Sequence, residues 1–277
     1  MKVFSNKTAI VTGASRGIGV KIALSLAESG CNIIAVARNP EGLNSTCTKV
    51  KSKGVQATYY LIDLSKINDT RSGMDKILKE NPNIDFLINN AGIEYYQKFH
   101  LYDPIVISDI LTTNLHSPIE ITRMLLPLLL KKGGHIVNIA SLAGKKGIAY
   151  NSIYSASKAG LIMWTDALRQ ELQHTKVGIS VICPGYISES GMFADSHVEA
   201  PKLLGTSLPQ HVADAVIQSI LKKKPEIIVN KGPIKPLLSI GQLSPAFGDT
   251  VVKYFGVPEM NRIRVENANI HKTKDAS

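Results

Sequence analysis

The fold is decided by one stretch: Thr8-Ala-Ile-Val-Thr12, then Gly13-Ala-Ser-Arg-Gly17-Ile-Gly19, then Val20-Lys-Ile-Ala-Leu-Ser-Leu-Ala27. A short run of apolar and β-branched residues, as in a strand covered on both faces, leads through three glycines into residues of helical periodicity. Glycine here permits a tight turn, lets the backbone approach a pyrophosphate, and allows close packing of helix on strand. The helix N-terminus adds free N–H groups and a partial positive charge. The turn therefore predicts phosphate binding by Gly13, Ser15, Arg16, Gly17, Ile18 and Gly19.

The alternation continues outward from this unit. Thr8–Thr12, Asn32–Arg38, Gln56–Ile62, Ile84–Asn89, His135–Ser141, Gly178–Cys183 and Glu226–Val229 read as strands. Between them Gly17–Ser29, Glu41–Lys53, Ile67–Asn81, Pro104–Lys132, Ser152–Thr175 and Pro209–Lys223 read as helices. Such an order predicts a single doubly wound α/β Rossmann domain over residues 1–230, a parallel seven-stranded sheet with helices on both faces. Residues 231–277 read as a C-terminal extension of short helices bounded by prolines, with a polar, frayed end over Asn261–Ser277.

Composition narrows the function classes. Of 277 residues 44% are hydrophobic and 19% charged, which is globular and excludes a disordered or collagen-like chain. Three cysteines, Cys31, Cys47 and Cys183, are an odd number without a CxxC pair, arguing against a disulfide framework or a metal site and for a reducing, cytoplasmic compartment. No run of apolar residues reaches the length of a membrane span. The net charge of +10 would suit nucleic acid, but ten basic and five acidic residues fall from Lys222 onward, and nowhere do cations interleave with aromatics. A solvated basic tail and no nucleic-acid partner is the expectation.

The second strand ends Ala35-Val-Ala-Arg38-Asn39, with Ala37 where an NAD-binding site usually places an acid. Arg38 and Arg16 supply guanidiniums suited to a 2′-phosphate, so NADP(H) is expected over NAD(H). Tyr154 and Lys158 are four residues apart on one helix face and project into one cleft. Ser141 ends the fifth strand, Asn89-Asn90-Ala91-Gly92 closes the fourth at the same edge, and Asn114 stands in the helix between them.

Taken in order and spacing, Thr12 with GxxxGxG, Asn89-Asn90-Ala91-Gly92, Asn114, Ser141 and Tyr154-Ser-Ala-Ser-Lys158 resemble the classical short-chain dehydrogenase/reductase family over about residues 5–230. The resemblance implies a carbonyl–alcohol oxidoreductase with Asn114, Ser141, Tyr154 and Lys158 as catalytic residues. By it, Ser141 holds the substrate oxygen, Lys158 contacts the nicotinamide ribose, and Asn114 supports a water-linked proton relay. An ammonium ~5 Å from the Tyr154 phenol, at an effective dielectric near 20, is worth roughly 3 kcal/mol, or about two pKa units toward neutrality. The resemblance also assigns cofactor contacts to Asp63 and Leu64, to Asn90, Ala91 and Gly92, and to Pro184, Gly185 and Ile187. The loop after Pro184 departs from the family's PGxVxT: Glu189 holds the threonine position and Ser190 follows, and either is a candidate for the last contact.

Ser188–Ser207 reads as a mostly apolar lid, favouring a hydrophobic small-molecule substrate such as a 3-oxoacyl, steroid-like or other apolar ketone. Leu237, Leu238, Ile240, Leu243, Phe247, Val251, Val252, Tyr254 and Phe255 are too many apolar groups for a solvated tail. They either pack on the domain or a sister subunit, or rest on a membrane or line a lipid-sized pocket. Tyr150 is open between pocket wall and packing aromatic. The family implies a homodimer or homotetramer through the long helices. A catalytically silent NADP(H)-binding sensor or interaction protein on the same fold is the alternative function.

Overall fold

The computed structural model describes residues 2–274 apart from 190, 191, 195–197, 202, 203 and 233. Seven parallel strands run β1 Thr8–Thr12, β2 Asn32–Ala37, β3 Ala57–Leu61, β4 Phe86–Asn89, β5 Gly134–Ile139, β6 Val177–Pro184 and β7 Glu226–Val229. Their spatial order is β3-β2-β1-β4-β5-β6-β7, so the winding reverses between β1 and β4, and the crevice at the carboxyl ends there is where doubly wound sheets bind ligands. The helices are α1 Gly17–Glu28, α2 Pro40–Lys51, α3 Ile67–Glu80, α4 Pro104–Leu111, α5 Ser117–Lys132, α6 Ser152–Glu171, α7 Pro209–Lys222, α8 Ile234–Leu243, α9 Pro245–Tyr254 and α10 Val257–Lys274.

Alternation along each strand sends neighbouring residues to opposite layers. Val11, Ile33, Ala35, Ile88 and Val137 pack with Ile22 and Leu26 of α1 and Val212 and Val216 of α7. Ile10, Ile34, Leu87 and Ile136 pack with Met74 and Ile77 of α3 and Ile121 and Leu125 of α5. Each fully buried aliphatic side chain contributes about 1.5–3 kcal/mol, which fixes the strand register. The edge strand β3 is covered least, leaving Tyr59 and Leu61 exposed.

Three expectations change. The helix read as continuous over Pro104–Lys132 is broken by a π-turn at Thr112–His116. Pro118 has no N–H to give the Asn114 carbonyl, and the Asn114 side chain is drawn sideways, so the regular ladder fails there. β5 stops at Ile139 rather than Ser141, because the Ser141 hydroxyl turns back to accept from Ala143 N at 3.1 Å, starting a short 3₁₀ turn. The end read as frayed is helical over Val257–Lys274, and its first half is docked: Val257, Met260, Asn261, Arg264 and Val265 are all buried. The Asn261 amide donates to Ala149 O at 3.0 Å.

The helices α8 and α9 form a close-packed hairpin. A Cβ on Gly241 would lie 3.3 Å from Gly248 Cα, so only the missing side chains let the helices approach this far. Lys146 Nζ holds α9 to the β5–α6 loop through Asp249 Oδ1 at 2.6 Å and Pro245 O at 3.3 Å. No described helix is long and apolar enough to cross a membrane. All three cysteines are free and buried.

Candidate active site

Two clefts meet at the carboxyl edge of the sheet. The first is lined by Gly13, Ser15, Arg16, Gly17, Ile18, Gly19, Arg38, Asn39, Asp63, Leu64, Asn90, Ala91 and Gly92, which brings together every residue expected for the cofactor's adenosine and phosphate half. The second contains Ser141, Tyr154, Lys158, Pro184, Gly185 and Ile187. Ile18, Asn90 and Met192 line both, so the clefts are continuous.

The first cleft is a cradle made of backbone. Gly13 and Gly17 adopt φ of 67° and 60°, the left-handed region glycine tolerates. A Cβ at Gly19 would lie 2.1 Å from the Gly13 carbonyl oxygen, and one at Gly13 2.9 Å from Ala91 Cα. Helix α1 begins at Gly17 with no side-chain cap, leaving its first N–H groups to an anion. Thr12 organises the floor. Its Oγ1 accepts from Asn90 N and Ala91 N, both at 3.0 Å, and the Asn90 amide returns a bond to Thr12 O at 2.9 Å. A dinucleotide fits this donor set, and when bound it would supply the hydride.

Not every residue sits as a free ligand donor. Asn39 caps α2, its Oδ1 accepting from Gly42 N at 2.5 Å. Arg38, largely exposed, lies 3.7 Å from Asp63 Oδ1, while the same carboxylate accepts from Ser65 N and Oγ. Glu189 is exposed with φ of 67° and lines neither cleft; Ser190 lies outside the described residues. Tyr150 does not line the cleft either, though its carbonyl accepts from Gln97 N at 2.8 Å.

The chemistry converges on Tyr154. It is buried, and its phenol shares a hydrogen bond with the Ser141 hydroxyl. Lys158 Nζ donates to Ile139 O at 2.8 Å and stands 5.7 Å from the Tyr154 ring centre. Contrary to the lowering expected from the ammonium, Tyr154 is held well above its ordinary pKa, first by burial and then by the Glu94 charge, against the Ser141 hydrogen bond. Burial likewise pushes Lys158 down to about 8, with Glu94 opposing it. Desolvation is the main cause of both shifts, and the phenol keeps its proton at neutral pH. A protonated phenol beside a hydroxyl can hold a carbonyl oxygen and give it a proton.

Asn114 is fully buried. Its Oδ1 accepts from Ile93 N at 2.8 Å, and its amide donates to Ile93 O at 2.9 Å and Ser157 Oγ at 3.0 Å. Across Gly92, a Cβ would stand 3.3 Å from Asn114 Oδ1 and 3.4 Å from Lys158 Nζ. Glu94, Tyr96 and Ile148 also line the second cleft and were missed in the sequence, since no spacing rule marks them. The C-terminal extension supplies Leu237, Leu238, Val251, Val252 and Phe255 to the same wall, while Ile240, Leu243, Phe247 and Tyr254 are exposed.

The family model described as short chain dehydrogenase matches residues 7–200. The chain is 48% identical over 273 residues to ketoacyl reductase HetN of Nostoc sp., spanning 96% of this chain and 95% of that one. It is 35% identical over 184 residues to the 3-oxoacyl-[acyl-carrier-protein] reductase FabG of Chlamydia trachomatis, spanning 66% and 74%. Among solved structures, a metagenomic short-chain oxidoreductase in complex with NADP superposes at a TM-score of 0.70 with 30% identity, over 82% of this chain and 98% of that one. An actinorhodin polyketide ketoreductase variant with NADPH gives 0.73 with 27% identity, over 82% and 96%. The chain belongs to the short-chain dehydrogenase/reductase family of oxidoreductases.

Proposed function

We propose that the protein is an NADP(H)-dependent reductase that interconverts a ketone and a secondary alcohol on a hydrophobic small molecule. The observation that carries this reading is the placement of Tyr154 and Ser141 where the glycine cradle opens into an apolar cleft. In it Tyr154 holds and delivers the proton at its Oη, and Ser141 positions the substrate oxygen. Lys158 supplies positive charge at the junction, and Asn114 fixes the Ile93 backbone beside it. Arg16 and Arg38 favour the 2′-phosphate of NADP(H), as do the NADP and NADPH complexes of the structural relatives.

The substrate reading is supported by the cleft wall, which α8 and α9 face with aliphatic side chains, Leu237, Leu238, Val251 and Val252. An acyl chain carrying a 3-oxo group fits that wall, in keeping with the ketoacyl reductases among the relatives. Residues 1–230 act in this reading as the catalytic domain, and 231–277 as its substrate-side wall. Exposed Phe99, Leu101, Ile105 and Met163 on the α4–α6 side support a homodimer or homotetramer, and the free cysteines suit the cytoplasm.

The test is NADPH oxidation against a panel of ketones, aldehydes and 3-oxoacyl thioesters, with Tyr154→Phe alongside. Turnover of an apolar ketone that the variant abolishes while still binding NADPH is the expected result. NADPH binding without turnover across the panel would overturn it.

A further inference from the structure

Arg264 lies far beyond the region matched by the family model, on a helix whose sequence reads as a polar tail, yet it is 5% exposed. Its guanidinium stands 4.6 Å from the centre of the Tyr96 ring and 4.8 Å from that of Phe193. Nη1 donates to Tyr96 Oη. The Tyr96 hydroxyl in turn donates to Glu94 Oε1 at 2.7 Å, which also accepts from the Asn151 amide at 2.6 Å. On its other side Phe193 packs against Tyr186, ring centres 4.8 Å apart. One side chain thus joins three distant segments: the loop after β4, the loop after β6, and α10.

Two nitrogens of this guanidinium, Nε and Nη2, are buried without a hydrogen-bond partner among the described residues. Leaving buried donors unsatisfied is costly, so packing alone would be better served by an aliphatic residue. An arginine offers what an aliphatic cannot, a planar cation that lies against two aromatic rings and donates to a phenol at once. Tyr96 and Phe193 line the apolar cleft and not the glycine cradle.

We propose that Arg264 is a positioning residue for the substrate: it clamps Tyr96 and Phe193 into the walls that a ketone meets, and so makes the C-terminal helix part of the substrate site. The inference rests on the reading of this cleft as a ketone site, and its consequences fall on substrate binding. Arg264 lines neither cleft and acts through Tyr96 and Phe193, which line the ketone side alone, so it shapes the ketone's KM and leaves NADPH affinity alone.

The test compares Arg264→Met, which keeps length and removes charge and fork, with Arg264→Lys and Tyr96→Phe in the full chain. Arg264→Met is expected to raise the KM for the best ketone about tenfold, with kcat within about threefold and NADPH affinity unchanged, as expected for a lost charged contact. Arg264→Lys, which keeps the charge over the rings, should recover part of the loss. Tyr96→Phe leaves α10 untouched; it should raise KM as well, and Arg264→Met added to it should do less than in the wild-type chain. Hydrogen exchange gives an arm independent of turnover. Amides of Tyr95–Gln97 and Met192–Ala194 should exchange faster in Arg264→Met while those of Gly17–Glu28 do not. An unchanged ketone KM, an equal shift in NADPH affinity, or exchange accelerated alike in the cradle helix would overturn the clamp. Should the wild-type enzyme reduce no ketone, the reductase reading fails by itself, and the exchange arm still decides the clamp.

Discussion

The two clefts that meet beside Tyr154 are built from different material. The cradle on the N-terminal side is backbone: left-handed glycines, an uncapped helix start, and a floor laced by Thr12 and Asn90, with Gly13 and Gly19 closed against added atoms. The cleft under the C-terminal helices is side chain: aliphatic groups from α8 and α9, aromatic rings from two loops, and Tyr96 and Phe193 held by Arg264. A backbone site tolerates no substitution and binds an invariant ligand. A side-chain site can be reshaped one methyl at a time, which is the freedom a family needs to change substrates on one cofactor fold.

The largest expected effect lies at the junction. Tyr154→Phe should lower kcat/KM about a thousandfold, within the 10²–10⁴ range for general acid–base groups, with NADPH affinity unchanged by titration. Next comes the cradle. Gly19→Ala places a methyl 2.1 Å from a carbonyl oxygen, so NADPH affinity should fall about a hundredfold with a loss of up to about 3 kcal/mol in stability; retention of both would mean the cradle is softer than its contacts imply. Ketone reduction should decline above pH 8, tending to tenfold per unit, as Lys158, charged below its pKa of about 8, loses its proton. A flat profile to pH 10 would remove its charge from the mechanism.

Smaller effects separate the two walls. Arg38→Ala should weaken NADPH about tenfold and NADH little, because only the former carries the 2′-phosphate; the exposed position and the Asp63 partner limit the change. Leu237→Val should raise the KM of an apolar ketone by up to about fourfold, the worth of one methylene, leaving the cofactor constant untouched. If it disturbed NADPH instead, the division between the clefts would be wrong.

The cradle was legible because its physics leaves marks at fixed spacing. Gly13, Gly17 and Gly19 and the Asn89-Asn90-Ala91-Gly92 edge each sit within a few residues of one another, on elements whose periodicity is plain, and so does the Tyr154–Lys158 pair at the junction with the second cleft. The wall of the second cleft is assembled from residues as far apart as Glu94 and Phe255, and no local pattern brings them together. Asn114 was found as a residue, but its π-turn was not, because the turn depends on a bond to Ile93 across the fold as well as on Pro118. The buried Asn261 and Arg264 misled in the other direction: polar residues in a terminal segment look solvated until their partners, Ala149 O and Tyr96, are placed.

The burial of the three thiols has a practical reach. Cys31 and Cys47 are pushed above the ordinary thiol range and Cys183 up to about 12, burial being the main cause in each, so almost no thiolate is present at neutral pH to meet an alkylating reagent. The molecule is therefore expected to react with maleimide dyes as though it had no cysteine, which labelling of the native protein checks. A single Leu243→Cys, at the 88% exposed end of α8, would carry one fluorophore on the α8–α9 hairpin with the native thiols left in place. Opening of the hairpin during turnover would then be visible as light.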